Sequence, residues 1–203
     1  MKKVLLILLT GGLLFSCKST KQSSTISSVD TQQNSKVKKR VLSIEDLASF
    51  TSAEDFLKYY PDSNPKNGTG LFDEGSVERS YTVLYKDTPD EVLITWEKKG
   101  EVHDVTIAGE GKWYSKAGIR VGMTYDELVL LNKGPIKVYG FGWDYGGAVD
   151  WNNGAMEKSG VLVYVSPKGE VDPKFYGDQI INPTESELRT LILRVTAVVY
   201  YPK

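Results

Sequence analysis

Cysteine, histidine and long apolar runs are nearly missing from this 203-residue chain, which holds one Cys and one His. A lone Cys cannot close an internal disulfide, and the lone His103 excludes a multi-histidine metal site. The longest apolar stretch, Val4 to Phe15, is interrupted by Thr10, Gly11 and Gly12. Crossing a hydrocarbon core of ~30 Å takes about 20 apolar residues, so this stretch is too short for a spanning helix. There is no Gly-x-Ser-x-Gly elbow and no Walker loop, and Gly140-x-Gly142 lacks the third glycine and the following helix of a dinucleotide site. No cofactor is expected. With 40% hydrophobic and 25% charged residues, a collagen, a coiled coil and a fully disordered chain are excluded.

An excess of one charge is missing from the total, 25 basic against 26 acidic residues, but the distribution is uneven. Residues 18–40 carry five Lys and Arg40 against Asp30, a balance of +5, whereas residues 41–203 carry 17 basic and 25 acidic residues, a balance of −8. An acidic body argues against nucleic acid as a partner, because phosphate binding needs clustered Lys and Arg.

What is present begins with an address. Lys2-Lys3 precede the apolar stretch, and Leu14-Phe15-Ser16-Cys17 follows. This order fits a secretory signal and resembles the lipobox of bacterial lipoproteins, with Leu at −3, a small residue at −1 and then Cys. The resemblance implies that residues 1–16 are cleaved and that Cys17 carries acyl chains, which anchor a protein stably when there are two or more. In the Gram-negative lipoproteins it resembles, Asp after the Cys favours inner-membrane retention, so with Lys18 there the resemblance implies the outer membrane. Some such lipoproteins reach the cell surface through acidic residues just after the Cys, and residues 18–22 have none, so the resemblance implies the periplasmic face. Residues 18–40 hold six Ser, three Thr and only three aliphatic residues. Such a segment cannot bury enough apolar area to order itself, and it is expected to be a basic tether.

Residues 41–203 are expected to form one globular α+β domain, mainly an antiparallel sheet of six to eight strands with two or three helices packed on one face. Ile44–Phe50 reads as a short helix. Ser52-Ala53-Glu54-Asp55 has the form of a capping box opening a second helix that Pro61 stops. Pro65, Asn67, Gly68 and Gly70 read as a loop. Alternation from Val77 to Tyr85, Val92 to Trp96 and Val102 to Ile107 gives a three-stranded meander, with Gly100 in a hairpin turn. Thr124-x-x-Glu127 caps a helix whose stripe is Tyr125, Leu128, Val129 and Leu131, stopped at Gly134-Pro135. Val161–Val165, one capped turn at Thr184 and a β-rich run from Leu191 to Tyr201 complete the reading.

The block Gly122-Met123-Thr124-Tyr125-Asp126-Glu127-Leu128 resembles a segment of small outer-membrane lipoproteins that assist barrel assembly, and of related inhibitor-like domains. Together with Gly140-Phe141-Gly142-Trp143-Asp144-Tyr145-Gly146-Gly147, residues 113–154 resemble an uncharacterised family of Gram-negative lipoproteins. Neither resemblance implies an activity.

In the second block, Tyr139, Phe141, Trp143, Tyr145, Val149 and Trp151 are odd, and small or acidic residues are even. One long strand would place all the large groups on one face. The rival is a hairpin turning at Gly146-Gly147, which pairs Trp143 with Asp150; the long strand is preferred. The aromatic row then reads as sheet core or as a platform for sugar stacking, and core is preferred because the core must lie on that face. Asp144 and Asp150 could form a glycosidase pair only in the hairpin. His103 beside Asp104 lacks a nucleophile elbow. No complete catalytic constellation results. The expected protein is a lipid-anchored, non-enzymatic binding or assembly module attached to the membrane through Cys17, with an envelope protein as possible partner and Trp143, Asp144 and Tyr145 as candidate ligand contacts. The alternative is a protein that binds or processes envelope glycans.

Overall fold

The meander forms as its alternation requires. In the computed structural model, which describes residues 43–203, β2 (Val77–Leu84), β3 (Val92–Lys98) and β4 (Glu101–Ile107) are antiparallel neighbours. Residues 1–42, with Cys17 and the predicted tether, lie outside the described residues. Before the meander come α1 (Ile44–Leu47), α2 (Ala53–Tyr59) and β1 (Lys66–Phe72). After it come α3 (Tyr125–Asn132), β5 (Lys137–Tyr139), β6 (Val149–Asp150), β7 (Val161–Pro167), β8 (Ile180–Ile181), α4 (Glu185–Leu191) and β9 (Leu193–Tyr200). The main sheet runs β1-β2-β3-β4-β9-β7, and a smaller one runs β6-β5-β8. The class is α+β, mainly antiparallel, as expected.

One face of the main sheet supplies the core. Val92, Ile94 and Trp96 of β3, Val105 and Ile107 of β4, Val198 of β9 and Val163 of β7 are buried on it. The helices pack there. Ile44, Leu47, Phe56 and Leu128 are fully buried, and the Phe56 ring lies 6.4 Å from that of Trp96. Each such side chain contributes roughly 1.5–3 kcal/mol by leaving water.

The caps follow the sequence with one change. Thr124 and Glu127 close a capping box at α3, and Thr184 and Glu187 close another at α4. Lys174 and the Thr184 cap hold the Glu187 carboxyl down to about 2. Ser52 caps α2 by accepting from the Asp55 amide, but Asp55 does not complete a box: its carboxylate takes the Thr51 amide and hydroxyl at 3.2 and 2.7 Å. Thr184 opens a seven-residue helix rather than one turn.

Residues 66–72 correct the sequence reading, since the glycine-rich loop is the strand β1. All seven of its residues pair with β2 without a register shift. The cause is cross-strand. Tyr81 lies over Gly68, where a Cβ would meet its ring at 2.5 Å, and the Trp96 indole donates to Thr82 Oγ1, which donates to Asn67 Oδ1. A glycine between paired strands is filled by the neighbour's ring.

Ile192 ends α4 in the left-handed region, φ 49 and ψ 57, with 47% of its surface exposed. A β-branched residue is strained there, at a cost of about 1–2 kcal/mol. Ile192→Gly is therefore expected to stabilise the domain by about 1 kcal/mol, raising Tm by ~2–4 °C for a domain of this size. A thermal melt checks this; a lower Tm would mean that the isoleucine side chain outweighs its backbone strain.

Candidate functional site

The block from Tyr139 to Trp151 is neither the long strand nor the Gly146-Gly147 hairpin in the register considered. β5 and β6 are a hairpin, but Lys137 pairs with Asp150 and Val138 with Val149. Residues 140–147 between them form a wide loop. The long strand fails because the backbone must double back: Tyr139 N–H donates to Ala148 O at 2.9 Å, and Gly147 N–H to Tyr139 O at 3.0 Å.

This loop is braced on two sides. Gly140 N–H donates to Gln179 O at 2.7 Å and Phe141 N–H to Phe175 O at 2.9 Å, while Gly177 N–H donates to Phe141 O at 2.9 Å. On the other side Val165 N–H donates to Gly147 O at 2.8 Å, which joins the loop to the outer edge of β7. Phe141 and Ala148 are buried beneath it. The odd residues therefore split: Phe141, Val149 and Trp151 enter the core, while Tyr145 is 50% exposed.

Of the predicted contacts, the structure brings two together. The Trp143 and Tyr145 rings meet edge-on at 5.5 Å, and Tyr139 meets Trp143 at 6.2 Å. The Trp143 indole donates to Gly140 O at 2.8 Å, so the ring is fixed, not free. Asp144 is exposed at the loop tip and makes no hydrogen bond or ion pair among the described residues. Cys17 lies outside them. Asp150 does not pair with Asp144: it sits in the β5–β6 ladder, 3.9 Å from Lys137 Nζ and accepting from the Asn152 amide.

Tyr176 was not legible as part of this site. It is 51% exposed, and a Cβ on Gly142 would sit 2.9 Å from its ring, so the ring lies against the loop backbone. The pairing that places it joins residues distant in sequence, Phe141 with Tyr176. In the sequence Tyr176 falls in a loop through Pro173, Gly177 and Pro183 and carries no further signal. The result is a fixed surface of Trp143, Tyr145 and Tyr176 with the Asp144 carboxylate beside it. Such rings can stack on an apolar or sugar face, and their phenols can donate hydrogen bonds.

A second polar group lies on the sheet face opposite the core. His103 is the extra residue of a β-bulge between the Trp96–Val102 and Thr95–Asp104 pairs, so the expected strict alternation with Asp104 is broken. His103 Nδ1 is 3.3 Å from Glu97, and its ring meets Tyr201 at 5.8 Å. Burial raises the Asp104 carboxyl above its usual range, although a hydrogen bond from Thr106 and the nearby Thr95, His103 and Arg79 oppose this. Thr95 Oγ1 faces it without a hydrogen bond of normal geometry. Burial, then Asp104, pushes the Tyr201 phenol up to about 12. These are polar-contact and packing partners rather than a nucleophile with its base. Among the described residues no group of three or more His, Cys, Asp or Glu could hold a metal, and no helix is long and apolar enough to cross a membrane.

A cavity of about 440 Å³ lies elsewhere, between the start of α3 and α4, and is lined by Tyr125, Asp126, Leu188, Arg189 and Arg194 among others. It mixes both charges, and Arg189 pairs with Glu185. Nothing in it converges on one ligand chemistry, so the exposed aromatic surface is the stronger candidate despite being no cavity.

No family model matches the sequence, and no curated protein matches it. Solved structures similar to this chain include the following two. The uncharacterized protein yfeY from Escherichia coli is 10% identical with a TM-score of 0.48, covering 76% of this chain and 91% of its own. An extracellular protein containing a SCP domain from Bacillus anthracis str. Ames is 12% identical with a TM-score of 0.39, and the match spans 92% of this chain and 50% of that one. Neither likeness bears on ligand or activity.

Proposed function

We propose that this chain is a lipid-anchored, non-enzymatic binding module of the bacterial outer membrane, held on the periplasmic face through Cys17. Its contact surface is the 140–147 loop. The observation that carries the reading is a set of exposed rings on a backbone braced from both sides: Tyr145 and Tyr176 stay half-exposed while Phe141 and Ala148 nail the loop to the core. Fixed, exposed aromatic residues bind at little entropic cost and are typical binding hot spots. The lipobox supports the anchor.

The glycan reading draws on the same rings and on the unengaged Asp144. Tyr145→Ala separates binding from folding, since the ring is half in solvent. The full chain is crosslinked in its own cells and purified from the envelope, with Cys17→Ala as the unanchored control. Tyr145→Ala is expected to leave the melt within ~1 kcal/mol of wild type. Recovery of the wild-type protein partner should fall by at least ~30-fold, the equivalent of a 2 kcal/mol hot spot. Undiminished recovery overturns the surface. Loss of glycan retention instead, in both Tyr145→Ala and Asp144→Asn, transfers it to the glycan reading.

A further inference from the structure

We infer that β1 is a docking edge for a second copy of this chain, the two β1 strands pairing antiparallel to join two six-stranded sheets. The inference stands apart from the aromatic loop. The two edges of the main sheet differ. At the β7 edge the chain covers itself: Ala148 bridges to Tyr164, and Val165 N–H donates to Gly147 O. At the other edge β1 has β2 on one side and no strand on the other among the described residues. Proteins normally blunt such an edge with proline, a bulge or a central charge. β1 has none of these within its span. Its seven-residue ladder has no register shift, Leu71 is 70% exposed, and the sole charge is Lys66 at its first position.

The strand is complementary to itself. Lys66 stands at one end, and the Asp73-Glu74 turn at the other. Arg79 engages Asp73, but neither Lys66 nor Glu74 has an ion partner among the described residues. Under a twofold axis through the middle of the strand, Lys66 of each copy runs toward Glu74 of the other, at both ends. A parallel partner would set like charges together. A C2 contact of this kind reuses one patch on both copies, with main-chain hydrogen bonds giving the affinity and the terminal charges the direction.

The test is sedimentation equilibrium of the full chain in density-matched detergent over a concentration series. Wild type is expected to show a reversible monomer–dimer equilibrium. Thr69→Lys, at an exposed mid-strand position, should be monomeric throughout with an unchanged melt. Lys66→Glu should weaken the dimer, and the charge swap Lys66→Glu with Glu74→Lys should restore it. A monomeric wild type overturns the inference, including one that captures a strand from a different protein. So does a dimer indifferent to Thr69→Lys or a charge swap that fails to restore.

Discussion

Gly147→Ala is expected to cost the domain about 3–5 kcal/mol. The position has φ +79, and a Cβ there would stand 1.9 Å from Val165 O. Two effects add. A residue with a side chain pays ~1–2 kcal/mol for the left-handed backbone. The loop must also lift from β7, losing the Val165–Gly147 and Gly147–Tyr139 bonds at 2.8 and 3.0 Å, each a net ~1–1.5 kcal/mol. At ~2–4 °C per kcal/mol, Tm should fall by roughly 10 °C. Gly75→Ala is the control: its φ is +82, yet nothing lies within 4 Å of the added Cβ. That variant should lose only the backbone part. Equal melts for the two would show that the approach to Val165 is not rigid.

Asn132 should be nearly as sensitive. It is fully buried at the end of α3, its Nδ2 donates to Trp151 O at 2.9 Å and to Gly134 O and Pro135 O at 3.2 and 3.3 Å, and its Oδ1 accepts from Met156 N–H at 3.2 Å. One side chain thus closes the loop after α3 against the segment following β6. Asn132→Ala leaves these groups buried without partners, and a loss of about 3–5 kcal/mol is expected. Asn132→Asp keeps the shape but turns a donor toward three carbonyls into a carboxylate. At neutral pH it should cost at least as much as alanine. Acid should recover part of that loss, because a protonated carboxyl can donate again. Urea denaturation at both pH values measures this, and a neutral-pH Asn132→Asp as stable as wild type would contradict the bonding scheme.

Local chemistry was legible in the sequence, and long-range pairing was not. The Thr124–Glu127 box, the meander and Gly100 at its turn are set by residues within a few positions of one another, and all are present. The strand at 66–72 was hidden because its glycines look like a loop until Tyr81 is placed across them. The odd-numbered aromatic pattern of 139–151 suggested a single strand, but what decides it is the approach of Gly140 to Gln179 and of Gly147 to Val165, neither visible in a local window. Trp143, Asp144 and Tyr145 were singled out as consecutive residues of one block, and the structure adds the ring contact between Trp143 and Tyr145. Tyr176 was missed because only the fold brings it to Gly142. Asn132 gave no signal either, since a polar residue closing a helix normally reads as an exposed end.

The central claim is that the loop surface at Tyr145 contacts a partner while the chain is anchored in the envelope. Its most direct test is a photo-crosslinking side chain placed at Tyr145 in the full chain, in living cells, compared with one at Leu130, which is 76% exposed on α3. The prediction is one discrete adduct from position 145, absent from position 130 and lost when Cys17 is replaced by alanine. No adduct at 145, or the same adducts from both positions, would contradict it.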